Sequence, residues 1–150
     1  MEEVIGKETE TENAADISFE RQEFFNWCEA NEIDHALEAM DDDDRKSFLK
    51  IENHFTTAIK ENRLVVDGHR FEYTVSKYSP NAGEKFTVRR PNGRAMLAMD
   101  GFKENSQNQK LQAFIAVICG IERRDIKKVS ELDNKDYRVL QDVATLFLTG

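Results

Sequence analysis

Residues 111–148 read LQAFIAVICGIERRDIKKVSELDNKDYRVLQDVATLFL, and this stretch decides the fold prediction because it contains two amphipathic helices with clear ends. Gly120 follows the last apolar turn of the first helix, and a glycine there commonly ends a helix because it adopts a left-handed conformation at little cost. The apolar side chains of this first helix recur at the helical period and share one face: Leu111, Phe114, Ile115 and Ile118.

The second helix begins within the segment LDNKDY, residues 132–137. Asp133 can accept a hydrogen bond from a backbone N–H of the first turn, and Asp136 adds negative charge near the positive end of the helix dipole. Both aspartates therefore have a sufficient structural role at the helix start, whereas Asp142 falls on the polar side. The apolar stripe of this helix comprises Tyr137, Leu140, Val143, Ala144, Phe147 and Leu148.

Upstream, over residues 63–90, the apolar residues alternate with polar ones instead of following the helical period. Asp67-Gly68 separates two alternating runs and predicts a tight two-residue hairpin turn. Residues 78–84 are typical of a loop, and a third strand follows around Phe86 and Val88. We therefore predict a three-stranded antiparallel meander. Its polar face carries His69, Arg70, Glu72, Thr74 and Ser76.

The remaining segments are predicted to be helical or acidic. A short helix is expected over residues 94–102, with Asn92 as its cap and Gly101 near its end. Residues 33–40 are predicted to form a short helical connector. Residues 1–17 hold six acidic residues and few large apolar ones, so we predict a disordered acidic tail.

Two helices are predicted between the tail and the strands, and the first contains an aromatic cluster. Ser18 can cap a helix that runs to about Asn31, and this helix carries Phe24, Phe25 and Trp27. Large aromatic side chains dominate the energetics of many interfaces, so the cluster could bind a partner. Packing in the core is the interpretation that we favour.

The run Asp41–Asp44 precedes a second, long helical pattern that ends near Asn62. Four adjacent carboxylates suggest a metal site, but calcium loops space their oxygen ligands at alternating positions around a glycine. Negative charge before a helix instead complements the helix dipole, so we favour a capping role. The resulting fold prediction is a single α+β domain over residues 18–150, in which about five helices pack with the small sheet.

Composition limits the classes of partner. The chain has 150 residues and a formal net charge of -8, which argues against binding along a nucleic-acid backbone and favours partners with basic surfaces. No apolar run is long enough to span a membrane, and the N-terminus does not resemble a secretory signal. Cys28 and Cys119 are expected to be buried reduced thiols, as in a cytoplasmic protein.

The sequence shows no pattern typical of a catalytic or cofactor site. His35, His54 and His69 fall in different predicted elements, and no phosphate-binding glycine loop or nucleophile motif is present. We therefore expect no catalytic residue, no metal and no cofactor. A basic cluster next to Phe86 and Tyr78 could contact RNA or a phosphate, although a solvated strand end is favoured; it comprises Lys85, Arg89, Arg90 and Arg94.

Three segments in the order found here resemble the tail assembly chaperones of long-tailed bacteriophages, in particular the Mu-like and P2-like group. They are FTVRRP at 86–91, ICGI at 118–121, and LDNKDYRVLQ at 132–141 with Phe147-Leu148. The resemblance covers residues 64–148. It does not extend to the helical arm, residues 18–62, which the shorter members of the group lack.

The resemblance implies a non-enzymatic protein of the infected host's cytoplasm that holds the tape measure protein and recruits tail-tube subunits. Some members are also made in a longer, frameshifted form. The sequence does not decide whether the chain forms a homo-oligomer. We expect apolar residues of the two C-terminal helices and the cluster of Phe24, Phe25 and Trp27 to form both the core and a groove for the partner. The predicted partner-binding residues are Phe24, Phe25, Trp27, Arg89, Arg90, Tyr137, Leu140 and Phe147.

Two other interpretations fit the same sequence. The chain could be a structural component of the virion, such as a tail completion or connector protein, or a phage protein that binds and inhibits a host factor. Gene order would separate them, because a chaperone gene is expected between the tube gene and a very long tape-measure gene.

Overall fold

The computed structural model describes residues 17–104 and 106–149, so the predicted acidic tail lies outside the described residues except for Ile17. The predicted α+β class with a three-stranded antiparallel sheet is confirmed. The strands are β1 (Leu64–Asp67), β2 (Arg70–Thr74) and β3 (Lys85–Val88). The helices are α1 (Phe19–Ala30), α2 (Asp42–Lys60), α3 (Gly93–Asp100), α4 (Gln107–Ile118), α5 (Lys127–Ser130) and α6 (Asn134–Thr149).

The sheet is a meander in the order β1-β2-β3, with one buried and one open face. Because successive side chains of a strand point to opposite faces, every second residue faces the helices. Val65 and Glu72 pair on the open face, where Val65 is 60% exposed. The buried face consists of Leu64, Phe71, Tyr73, Phe86 and Val88.

The turn between β1 and β2 is shifted by one residue from the prediction. Asp67 pairs with Arg70, so the two turn residues are Gly68 and His69 instead of Asp67 and Gly68. Gly68 has a φ of 67°, while His69 is not among the residues with positive φ. A glycine with positive φ at the first turn position is typical of a type II′ turn, which explains why the pairing extends to Asp67.

The helical arm packs on the sheet through aromatic rings. The Trp27 ring of α1 lies 5.1 Å from the Phe55 ring of α2 and 5.9 Å from the Phe71 ring of β2, measured between centroids. The Phe55 and Phe71 rings are 5.5 Å apart. All three side chains are at most 1% exposed, so one aromatic contact joins two helices to the buried face of the sheet.

Side-chain caps begin the helices where the sequence predicts them. Ser18 Oγ accepts a hydrogen bond from Arg21 N at 3.1 Å, and Asp41 Oδ1 accepts one from Asp44 N at 2.8 Å. Asn92 Oδ1 accepts hydrogen bonds from two backbone N–H groups of α3 at 3.0 and 3.3 Å. The acidic run therefore caps α2, as predicted.

The connector at 33–40 is less helical than predicted. It forms a single 3-10 turn, Leu37–Ala39. Asp34 Oδ1 accepts a hydrogen bond from Ala36 N at 3.0 Å, and this local bond holds the chain in a turn before Leu37. Ala36 then occupies the cap position without a side-chain acceptor, so nothing extends the turn into a helix.

The C-terminal region differs from the prediction in two respects. The predicted apolar stripe of α6 included Leu148, which is 41% exposed, and omitted Val139, which is buried because α6 packs against both α2 and α4. A 3-10 turn, Arg123–Asp125, and α5 fill the interval between α4 and α6, where no element was predicted. These pieces are too short to produce a helical period in the sequence.

Cys28 and Cys119 are buried and are not joined in a disulfide, as predicted. Burial raises the pKa of both thiols, and the carboxylates of Glu52 and Glu29 raise that of Cys28 further. Within the described residues, no helix has the length and apolar character needed to cross a lipid bilayer.

Replacing Trp27 with alanine is expected to lower the free energy of unfolding by about 3–5 kcal/mol, because the ring fills the contact between α1, α2 and β2. Urea denaturation followed by circular dichroism measures this loss. Phe19→Ala in the same helix is the control: this side chain is 68% exposed, and its loss should change stability by less than about 0.5 kcal/mol. Equal effects of the two substitutions would contradict the packing described.

Candidate partner-binding groove

A groove of about 610 Å³ runs between α3, α4 and the segment that follows α4. Alanine side chains at positions 98, 113 and 116 help to line it, and their small size leaves space that longer side chains would fill. Leu97 and Val117 add larger apolar surface, and Leu97 is 68% exposed. The groove is therefore a partly apolar depression that opens to solvent.

Three arginines line the same groove. Arg89 follows β3, Arg94 belongs to the first turn of α3, and Arg123 begins the 3-10 turn after α4. Glu122 is the one acidic residue among those that line it. The groove thus combines apolar and positively charged surface on a chain whose formal net charge is -8.

Backbone contacts bring Arg89 to the end of α4. Arg89 N donates a hydrogen bond to Ile118 O at 2.9 Å, which ties the residue after β3 to the last turn of α4. Gly120 has a φ of 72°, and a Cβ at this position would lie 3.9 Å from Arg89 Nη1. The segments VRRP and ICGI, far apart in the sequence, therefore meet at the groove.

The other members of the predicted basic cluster lie elsewhere. Arg90 Nη1 donates a hydrogen bond at 3.4 Å to Oδ1 of Asn31, a buried residue at the end of α1. Lys85 Nζ lies 3.9 Å from Glu72 Oε1 on the open face of the sheet, and Phe86 is buried. Only Arg89 and Arg94 of the cluster line the groove.

The aromatic cluster and the two C-terminal helices are predicted to form both core and groove, and the structure divides these roles among them. The aromatic cluster and α6 belong mainly to the core, whereas α4 lines the groove. Phe24, Trp27 and Leu140 are at most 1% exposed and cannot contact a partner unless the domain opens. Phe25 is half-buried and stacks on the ring of His35 with centroids 4.6 Å apart.

The last two predicted partner-binding residues, Tyr137 and Phe147, are only partly buried and pack against the core. The Phe147 ring lies 5.7 Å from that of Trp27 in an edge-to-face arrangement. Neither residue lines the groove between α3 and α4.

The groove residues that sequence reasoning missed are mainly in α3 and after α4. Leu97 of α3 is 68% exposed, and the sequence RAMLAMDGF carries a signal for this, because its apolar side chains fall on more than one face of the helix. Arg123 carried no such signal, because its segment has no recognisable period.

A buried polar network attaches α6 to the sheet and to the loop after β2. Asp136 is fully buried, and its carboxylate accepts hydrogen bonds from Tyr73 Oη at 2.6 Å, Ser76 Oγ at 2.7 Å, Ser76 N at 2.9 Å and Ser79 Oγ at 2.6 Å. Arg63 Nη1 lies 3.7 Å from the same carboxylate. Asp136 therefore joins β2 and the β2–β3 loop to the first turn of α6.

This network corrects two predictions. Asp136 was expected to act only through its charge at the helix start, and Ser76 was expected on the polar face of the sheet, yet both are buried. Burial alone would raise the pKa of Asp136, but the hydrogen bonds from Ser79, Tyr73 and Ser76 outweigh it and hold the pKa below its ordinary value. The ionised carboxylate is thus the form that stabilises the fold.

Asp133 has the capping role that the sequence predicts. Its Oδ2 accepts a hydrogen bond from Lys135 N at 2.9 Å, and its own backbone N–H donates to Ser79 Oγ at 2.7 Å. The Ser79 hydroxyl therefore forms hydrogen bonds with both aspartates of LDNKDY, one of the segments that carry the family resemblance.

A partly buried acid–base contact joins α2 to α6. His54 Nδ1 and Asp142 Oδ2 are 2.6 Å apart, and their side chains are 15% and 21% exposed. Burial raises the pKa of Asp142, although the contact with His54 opposes this. The sequence placed Asp142 on the solvent side of α6, and only the packing of α2 against α6 reveals the pair.

Comparisons of the chain with protein-family models, with curated proteins and with solved structures give no match.

Asp136→Asn is expected to lower the free energy of unfolding by about 3 kcal/mol or more. The amide has no negative charge to face Arg63, and its NH2 group would replace an oxygen that accepts hydrogen bonds. Asp133→Ala, which removes one partly exposed cap, should cost only about 1 kcal/mol. Urea denaturation at neutral pH compares the two variants. If Asp136→Asn were no more costly than Asp133→Ala, the network would not have the role assigned to it.

The same network predicts a loss of stability in acid. The pKa of Asp136 is lowered from 3.8 in the folded protein, so its contribution is present above that ordinary value and is lost as the pH falls through the lower folded value. Urea unfolding between about pH 2 and pH 5 should therefore show a decline that is smaller in Asp136→Asn. Parallel curves for the two proteins would contradict this assignment.

Proposed function

We propose that this protein is a non-enzymatic tail assembly chaperone of a long-tailed bacteriophage, which works in the cytoplasm of the infected host. It binds the tape measure protein and tail-tube subunits while the tail is built. The groove between α3 and α4 is the surface that holds the tape measure protein.

One observation carries this proposal. The segments VRRP and ICGI, which belong to the resemblance, meet through the hydrogen bond from Arg89 N to Ile118 O, and residues of both line the groove. Protein interfaces commonly combine apolar surface with arginine and a polar rim, and the depression where these segments meet has that combination. This convergence supports binding at the groove in preference to the aromatic cluster of α1.

The third segment of the resemblance supports the same surface indirectly. Leu132 is buried, and Asp136 fixes α6 to the sheet, so the segment LDNKDY stabilises the domain. Helix α6 in turn packs against α4, which forms one side of the groove. A binding surface of this kind requires a rigid support, and these residues provide it.

The surface of the groove suits a partner that is helical and partly apolar. Two helices lying side by side leave a depression into which the ridge of a third helix can pack. Leu97 is 68% exposed at this depression, where burial against a partner would remove apolar surface from water. A long helical protein that must be kept in solution before assembly presents such ridges.

Leu97→Asp is expected to weaken co-purification with tape-measure fragments at least tenfold, because a carboxylate would be buried against an apolar helix face. The assay coexpresses the full chain with overlapping fragments of the tape measure protein and quantifies the complex by size-exclusion chromatography. Val65→Asp is the matched control, since Val65 is similarly exposed, at 60%, but lies on the open face of the sheet.

Three results would overturn the proposal. The first is that no fragment forms a complex with the unmodified chain. The second is that Val65→Asp weakens the complex as much as Leu97→Asp does. The third is that the protein is found in purified virions in amounts comparable to the tail-tube subunit, because an assembly chaperone leaves before the particle is complete.

A further inference from the structure

The arginines of the groove differ from most others in the described part of the chain. Within residues 17–104 and 106–149, none of Arg89, Arg94 and Arg123 has a carboxylate oxygen within 4.0 Å. Five other arginines in these residues do form ion pairs: Arg21, Arg45, Arg63, Arg70 and Arg124. Three guanidinium groups that have no carboxylate partner among these described residues therefore line one surface.

The position of these guanidinium groups is complementary to acidic residues on a partner. Arg89 lies beside Gly120, and a Cβ built on Gly101 would lie 3.9 Å from Arg123 Nη2. Positive charge thus borders the apolar surface near the end of α3 and near the end of α4. A partner that fills the groove would gain charge-assisted hydrogen bonds by placing carboxylates at its flanks.

A helix is the partner conformation that fits the apolar part. The backbone polar groups of α3 and α4 are used within those helices, so an extended peptide would find few partners there for its own N–H and C=O groups. A helix satisfies these groups internally and presents an apolar ridge. Nucleic acid would use the arginines but would leave Leu97, Val117 and the alanines without a matching surface.

We propose that the groove between α3 and α4 binds an acidic amphipathic helix, whose apolar ridge packs on Leu97 and Val117 and whose flanking Asp or Glu side chains pair with the arginines. The inference rests on the proposed function, because it specifies the chemistry of the tape-measure segment that the chaperone holds. It specifies that the partner's flanking charge is negative and that Arg89, Arg94 and Arg123 bind it.

The test uses a synthetic, fluorescein-labelled peptide of about 18 residues, which is about 27 Å long as a helix. The peptide has leucine at every third or fourth position and glutamate on both flanks. Fluorescence anisotropy with the full chain measures its affinity. Arg94→Gln and Arg123→Gln should each weaken binding about fivefold, and added salt should weaken binding to the unmodified chain.

Lys85→Gln is the matched control for these variants. It removes one positive charge outside the groove, because Lys85 lies on the open face of the sheet, is 61% exposed and faces Glu72 at 3.9 Å, so its loss should leave the affinity unchanged. Exchanging the charges of both partners should restore binding. The triple variant Arg89→Glu, Arg94→Glu, Arg123→Glu should lose the glutamate peptide and bind a matched peptide with lysine in place of glutamate.

Several outcomes would overturn the inference. These are equal affinity for the glutamate and lysine peptides, an effect of Lys85→Gln as large as that of Arg123→Gln, and more effective displacement of the labelled peptide by polyuridylate than by unlabelled peptide. Concentration-dependent dimerisation that Leu97→Asp abolishes would show that a second copy occupies the groove. Tighter peptide binding after the glutamates at positions 2, 3, 8, 10 and 12 are changed to glutamine would identify the chain's own acidic segment as the occupant.

The two proposals fail in distinguishable ways. If tape-measure fragments bind in a Leu97-dependent manner but the peptides show no charge preference, this inference is wrong and the proposed function stands. If the glutamate peptide binds as expected and no tape-measure fragment does, the chemistry of the groove stands and the proposed function is wrong.

Discussion

The buried carboxylate of Asp136 is the interaction on which the rest of the structure depends. It gathers donors from β2 and from the β2–β3 loop and attaches them to the first turn of α6. Without it, the loop would present hydroxyl groups to an apolar interior. Since α6 packs on both α2 and α4, the carboxylate sets the position of the sheet relative to the helices, and with it the position of β3 beside the end of α4.

The groove is a consequence of that arrangement and of small residues at the contact between α3 and α4. Ala95 is fully buried, and Ala113 and Ala116 are nearly so, which allows the two helices to approach closely. The same small residues leave the outer side of the contact shallow and apolar. The packing that stabilises the C-terminal part of the domain therefore also produces its most distinctive surface.

Much of the fold could be predicted because it follows local rules. The three side-chain caps at Ser18, Asp41 and Asn92, the alternation in the strands and the positive φ of Gly120 are properties of short segments. The candidate site could not be predicted in the same way, because it depends on which segments meet. Core packing was the favoured interpretation of Trp27, but only the structure shows that its ring contacts Phe71. Arg123 became relevant only through its position across from α3.

The two buried thiols make different parts of the fold separately observable. Cys28 lies at the end of α1 beside the aromatic contact with the sheet, and Cys119 lies at the end of α4 beside the groove. A buried thiol with a raised pKa reacts only when its surroundings open, so its rate of alkylation reports how often that region unfolds locally. The alkylation rate of Cys28 thus reports local opening of the helical arm, and that of Cys119 reports local opening beside the groove, without any added label.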